Sequence, residues 1–292
     1  MILELDSIKK TINKKVLLDD INLSIEHSPI LAILGNNDEE KSTLLKIIAG
    51  IYSCNSGSVK INDNEVDDNF EFRKNIFYVS NDPYFIKNEN IEYILRTYKM
   101  FYKDFNIGFA IEEIEKIFDL NTTYPSKLSE QNRRVIAIIC ALASESKYIL
   151  IDKTLDGIEG PILNDLKKLI LKENSNKGTT LLINTSNIKG IDDIVSDFIV
   201  LCDNSLKFHK NINEENEYIS KVTYFDESMR NPDEIFESND IISFVDNKLT
   251  KTAIVKLSKD KNEQYIRNKD IKYFDIKQVY ASEIYDNLLK YE

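Results

Sequence analysis

The segment 30–50 constrains the fold of this chain most. Ile30-Leu31-Ala32-Ile33-Leu34 is a short continuous apolar run, the pattern of a strand buried on both faces. Gly35 ends the run and polar residues follow. From Ser42 the pattern turns helical, with Leu44, Leu45, Ile47 and Ile48 on one face and Gly50 as a stop. A strand, a short loop and a helix in this order form the frame in which a phosphate loop sits.

The loop residues Gly35-Asn36-Asn37-Asp38-Glu39-Glu40-Lys41-Ser42-Thr43 align with G-x-x-x-x-G-K-[ST]. In that pattern backbone N–H groups cradle phosphates, the lysine reaches the terminal phosphates and the Ser/Thr hydroxyl meets Mg²⁺. Gly35, Lys41, Ser42 and Thr43 keep the pattern. Glu40 stands where the second glycine belongs, at a position where backbone must approach phosphate closely. Asp38-Glu39-Glu40 also sets three carboxylates where a polyanion would sit. Taken alone, the segment equally suits an N-capped surface helix with acids in its first turn. A further expectation is that Glu40 or Asp38 folds into the amide nest at the helix N-terminus and fills the phosphate position itself.

Other elements surround this unit. Early strands are expected over 2–8 and 16–25, with Asp19-Asp20 and Asn13-Lys14 as turn signals, and further strands over 58–61 and 76–79. Amphipathic helices are expected over 91–102 and 107–118, and another from Ser129 to about Ser144. Tyr148-Ile149-Leu150-Ile151 is a second buried-strand run, ending in Asp152. A helix follows over 161–172, with Pro161 near its first turn, then strands over 179–184 and 198–202. Strands alternating with helices imply a parallel sheet covered on both faces. The polar stretch 211–217 reads as a linker. Beyond it, strands at 241–245 and 252–257 and a helix at 281–291 imply a small α+β domain. The expected domains are 1–212 and 218–292.

Composition narrows the function. Of 292 residues only 8 are glycine, against a typical ~7%, so a nucleotide fold written this way has lost some of its glycine turns. The net charge of −11 argues against binding to a nucleic-acid backbone. Cys54, Cys140 and Cys202 fit no metal spacing and read as buried thiols. His27 and His209 read as surface residues. No stretch reaches the ~18–20 uninterrupted apolar residues of a membrane span, and the acidic start of the chain does not read as a secretory signal.

Three more segments carry a resemblance. Leu128-Ser129-Glu130-Gln131-Asn132-Arg133-Arg134 resembles the L-S-G-G-Q signature of ATP-binding cassettes, and Tyr148–Asp152 resembles their Walker B strand. Residues 126–159 follow that family's signature helix, Walker B and D-loop in register. Residues 2–26 resemble its opening β-subdomain. The resemblance covers roughly 1–210. It implies a P-loop NTPase-type ABC cassette of α/β class: a mixed sheet with flanking helices, an antiparallel β-subdomain and a helical subdomain at about 83–145. A small C-terminal domain follows, loosely similar at 276–285 to the tail of drug and bacitracin-resistance exporter cassettes.

Carried over position by position, the resemblance implies nucleotide contacts at Gly35, Asn36, Glu40, Lys41, Ser42, Thr43, Asn81 and Asp152, and Mg²⁺ ligation by Ser42 and Asp152. It also shows losses. The adenine-stacking aromatic falls near Ile12, the Q-loop glutamine is Asn81, and the D-loop aspartate is Glu159. The general-base glutamate is Lys153, a cation with no free lone pair. The switch histidine is Ser186. Ser129, Glu130 and Gln131 leave the signature without its glycines. The resemblance therefore implies a cassette deficient in hydrolysis, with doubtful Mg-ATP binding. Its expected place is the cytoplasmic face of a membrane, with a second cassette in a hetero-oligomer and a multi-span permease of an exporter. A slow, partner-assisted Mg-ATPase and a soluble regulatory cassette are the alternatives.

Overall fold

The computed structural model describes residues 2–26, 30–66, 73–86, 88–120, 123–211, 220–228, 230–237, 240–246, 249–255, 257 and 259–279. The chain divides into two compact units, Met1–Val195 with Ile199–His209, and Ser196–Phe198 with Lys210–Glu292.

In the first unit, β1 (Leu3–Ile12) and β2 (Lys15–Ile25) form an antiparallel hairpin. Its turn is Asn13-Lys14, both at positive φ (50° and 69°), the conformation that matches the twist of paired strands. Asp19-Asp20, by contrast, is no turn but lies within β2, with Asp20 at φ 54° where the pairing with β1 shifts register. β4 (Ser56–Ile61) and β5 (Asn64–Glu65) complete a four-stranded sheet ordered β2-β1-β4-β5. A six-stranded sheet has the order β10-β9-β3-β8-β7-β6. Its strands are β3 (Ile30–Leu34), β6 (Ile76–Val79), β7 (Tyr148–Asp152), β8 (Thr180–Asn184), β9 (Asp197–Cys202) and β10 (Ser205–Asn211). The pairs β3/β8, β7/β8 and β6/β7 are parallel. Their register sets Ile33 opposite Asn184 and Asn184 opposite Asp152. The carboxyl ends of the three strands thus lie side by side, the edge at which open α/β sheets bind ligands.

Helix α1 (Asp38–Ile48) follows β3 and buries Leu44, Leu45, Ile47 and Ile48. They pack in one core with Leu31, Ile33, Leu150 and Leu182 of the larger sheet and Leu3, Leu5, Ile8 and Leu18 of the smaller. Burying a Leu or Ile side chain contributes about 1.5–3 kcal/mol, so this shared core fixes the strand–loop–helix unit against both sheets. The helical part comprises α2 (Ile91–Phe101), α3 (Ile107–Glu115) and α4 (Glu130–Ala143), capped by Asn90, Asn106 and Ser129. Phe77, Tyr98, Tyr102 and Phe105 form an aromatic cluster, with ring centroids 5.0–5.8 Å apart, that joins α2 to strand β6. Helix α5 (Gly160–Lys177) runs past its expected end near 172. Its last turn is polar, so the apolar pattern fades early. The stop is Gly178 in the left-handed conformation, and Lys177 pairs there with Glu145 and Glu173. Cys140 is buried as expected, whereas Cys54 and Cys202 are only half-buried.

The second unit is built on the antiparallel sheet β12-β13-β11-β14. Its strands are β11 (Ser220–Phe225), β12 (Ile241–Asp246), β13 (Lys251–Val255) and β14 (Tyr273–Gln278), with helix α6 (Lys259–Asn268) between the last two. Val222, Tyr224, Phe236, Val255 and Ile266 lead its core. Strands β11 and β14 and helix α6 were not anticipated. The helix reads KDKNEQYIRN, with too few apolar residues to show a face. The helix expected at 281–291, His27 and the side chain of His209 lie outside the described residues.

Candidate nucleotide site

Strand β3 delivers Gly35 to the loop at φ +150°, where an added Cβ would lie 2.2 Å from the carbonyl oxygen of Leu201. Only glycine fits that approach, so this end of the loop is anchored on β9. Asn36 follows, exposed. Asn37 then caps α1, its side-chain oxygen accepting the Glu39 N–H at 3.0 Å.

The three acids that follow do not gather where a phosphate would sit. Glu39 is exposed and pairs with Lys15 at 3.0 Å. Glu40 turns inward and is 4% exposed. Its Oε1 accepts from Asn37 Nδ2 at 2.8 Å and from Asn204 Nδ2 at 3.0 Å. Burial pushes the Glu40 carboxyl above its ordinary value, and those two amides offset only part of that. Asp38 alone reaches the loop lysine. Its carboxylate lies 2.9 Å from Lys41 Nζ and also binds the ammonium of Lys153. Partial burial opposes its charge, but the Lys153 and Lys41 ammoniums outweigh it and hold the carboxyl below its ordinary value. Of the two acids expected to fill the phosphate position, Asp38 meets the loop lysine and Glu40 does not. The resident carboxylate is Asp38, its partners are two side-chain cations, and Glu40 serves the loop's inner wall.

Next to this, Ser42 Oγ donates to Asp152 Oδ1 at 2.8 Å. Asn184 Nδ2 donates to the same oxygen at 2.7 Å, and the phenol of Tyr78 donates to Asp152 Oδ2 at 2.7 Å. Burial and the facing Asp152 charge push the Tyr78 phenol up, so it stays a donor at neutral pH. Asn184 Oδ1, in a fully buried side chain, accepts no hydrogen bond among the described residues. A hydroxyl and a carboxylate converging from α1 and β7 are the hard oxygen donors that Mg²⁺ takes, and Ser42 and Asp152 fit it. With a nucleotide, such an ion would neutralise phosphate charge. Thr43 is buried behind the loop.

Lys153 follows Asp152 at φ +58°, with its N–H donated to the Asn184 carbonyl at 2.8 Å. Its side chain is committed to Asp38, and an ammonium there accepts no proton from water. Ser186, exposed, donates its N–H to both oxygens of Asp156 at 3.1 Å, and the Thr185 hydroxyl binds the same carboxylate. Glu159 is exposed at the start of α5 and makes no capping bond.

Ser129 caps α4, its Oγ accepting the Asn132 N–H at 3.3 Å. Glu130 is turned onto Arg134, and Gln131 is half-buried. Arg134, 8% exposed, donates to the Asn81 carbonyl at 3.0 Å, to Asn81 Oδ1 at 2.8 Å, to the Asp156 carbonyl and to Glu130. One guanidinium thus ties together the Q-loop, signature and D-loop positions, as its fork of donors allows. Arg134, Asp156, Tyr78 and Asn184 are the site residues that sequence reasoning missed. Asp156 and Arg134 lay inside quoted motifs but at positions without a carried-over role. Tyr78 and Asn184 lie just ahead of the Q-loop and switch positions, again without a carried-over role; their places on β6 and β8 bring them to Asp152.

Residues 18–156 match the family model described as ABC transporter. The ABC transporter ATP-binding protein YtrB of Bacillus subtilis is 25% identical over 225 residues, covering 77% of each chain. The methionine import ATP-binding protein MetN of Campylobacter jejuni is 27% identical, covering 68% of this chain and 67% of that protein. Among solved structures, the ATP-binding cassette MJ0796 bound to ADP and Pi superposes with a TM-score of 0.65. That match is 20% identical and covers 73% of this chain and 99% of that one. The fold, the order of the motifs and these likenesses agree: the first unit of this chain has the fold of an ABC ATPase cassette and is similar in sequence to ABC-transporter ATP-binding proteins.

Proposed function

We propose that this chain is the ATP-binding-type subunit of an ABC transporter and that it does not itself turn over ATP. The observation that carries the reading is Lys153. The position of the water-activating carboxylate holds an ammonium bound to Asp38, and Ser186 offers no imidazole beyond it. Phosphoryl transfer depends on positioning and charge stabilisation by several parts acting together, and here at least two are replaced. Turnover in the assembled transporter then belongs to a second, competent cassette, with a membrane permease as the common partner at the inner membrane face. Among the described residues no helix is long and apolar enough to cross a membrane. The matched relatives include methionine and sulfate import proteins, so the proposal does not extend to the exporter direction.

Steady-state phosphate release tests this. The purified chain is expected to release none above background. In the assembled transporter, Lys41→Ala in this chain should leave turnover unchanged. Loss of half or more of the turnover would overturn the proposal in favour of a slow, partner-assisted Mg-ATPase, a reading that the intact Ser42–Asp152 pair supports.

A further inference from the structure

We propose that Asp38 is the resident occupant of the phosphate seat, and that a polyphosphate ligand enters only by exchanging with its carboxylate between Lys41 and Lys153. The inference rests on the reading of this loop as a nucleotide site and names what holds it shut. Lys41 is 3% exposed, so the polar surface of its ammonium is turned into the loop, where Asp38 meets it. Lys153 reaches the same carboxylate from the end of β7, its backbone fixed by the left-handed φ and the bond to Asn184. Two cations from different elements converge on one anion, as they would on a terminal phosphate. Asp38 also sits in the first turn of α1, where the helix dipole favours negative charge.

Tethering decides the competition. A carboxylate held in the same chain acts at an effective concentration of about millimolar or more, so a free ligand must first match that. Glu40 is not the obstacle. It points away from the lysines and is held by two amides, so removing it leaves the Asp38 contacts in place. The second cation also changes sign against the family's pattern. Lys153 forfeits hydrolysis but adds a positive partner for any phosphate that displaces Asp38.

Calorimetric titration of the full chain with Mg-ATP tests both parts, with thermal unfolding of each variant as the check on folding. Wild type is expected to bind weakly. Asp38→Ala should bind about tenfold more tightly or better. Asp38→Ala/Lys153→Ala should lose most of that gain, and Glu40→Gly alone should gain little. Asp38→Asn removes the charge at constant shape and should follow Asp38→Ala if the latter folds poorly. Micromolar binding by wild type that Asp38→Ala and Asp38→Asn leave unchanged would overturn the proposal, as would a gain confined to Glu40→Gly. Neither result touches the turnover experiment, which reads hydrolysis in the assembled transporter.

Discussion

Ser42 and Asp38 stand on the first turns of one helix, yet the two sides of the site they anchor are held in opposite ways. On the Ser42 side, Asp152 is 4% exposed and collects donors from α1, β6 and β8. The Tyr78 and Asn184 bonds are set by strand positions in one sheet, and the Ser42 bond by the packing of α1 in the core it shares with that sheet. On the Asp38 side, the carboxylate is half exposed and is held by side-chain cations. The first arrangement is structural and would persist without any ligand. The second is an ionic contact whose carboxylate is half open to water, so that another anion can exchange with it, although its Lys41 partner is 3% exposed. On the proposed reading, the side that would hold a metal is kept for the sake of the fold while the side that would seat a phosphate changes use.

The largest expected effect tests that difference. Asp152→Ala leaves the buried Asn184 amide and the half-buried Ser42 and Tyr78 hydroxyls without their shared acceptor, and an unsatisfied donor costs about 1–3 kcal/mol where it is buried and less where water reaches it. Urea unfolding should show a loss of about 3 kcal/mol or more. Asp38→Ala should cost less, about 1–2 kcal/mol, because its carboxylate is half exposed and Lys153 only partly buried, although the 3% exposed Lys41 ammonium loses an anion. The reverse order would show that the loop acids carry the fold and would break the comparison.

The same difference explains what the sequence could say. The frame was legible because burial repeats itself along the chain. The runs Ile30–Leu34 and Tyr148–Ile151 had to be inner strands, and Gly35, Lys41, Ser42 and Asp152 follow from their ends. The retained side of the site came with them. The altered side did not, because three adjacent acids of similar chemistry take three different fates, decided by residues far away in sequence. Asn204 draws Glu40 inward, Lys153 captures Asp38, and Lys15 meets Glu39. In the second unit, α6 was illegible for a related reason: its few apolar residues leave most of the helix polar.

Glu40 sharpens the comparison with an intermediate effect. It is a buried carboxylate at a position where the family pattern has no side chain. Both amides donate to its Oε1, so Glu40→Gln keeps both bonds and removes a charge that burial disfavours. The variant should be more stable by about 1 kcal/mol at neutral pH. The folded carboxyl titrates above its ordinary value of 4.5, so wild type binds this proton more tightly when folded. Wild-type stability from this group is then fully present below that ordinary value and is lost as pH rises through the raised one. The advantage of Glu40→Gln should accordingly shrink on acidification and vanish below about pH 4.5. Thermal unfolding of the two proteins across pH 4–8 checks it, and a pH-independent difference would mean that shape rather than charge is at issue.

Glu39 supplies the smallest effect and the control for the other two acids. Its pair with Lys15 is exposed on both sides, 54% and 59%, and an ion pair of this kind contributes about 0.2–1 kcal/mol or nothing measurable. Lys15→Ala should shift the unfolding free energy by less than about 0.5 kcal/mol, and 0.5 M salt should erase even that. It should also leave Mg-ATP titrations as they are in wild type, because Lys15 holds the acid that faces neither loop lysine. If Lys15→Ala opened the site as Asp38→Ala is expected to, the effect would belong to the summed charge of the acidic turn. The distinction between Asp38 and its neighbours would then fail. If only Asp38→Ala does so, the three acids are separable, and position rather than charge count decides what a phosphate loop admits.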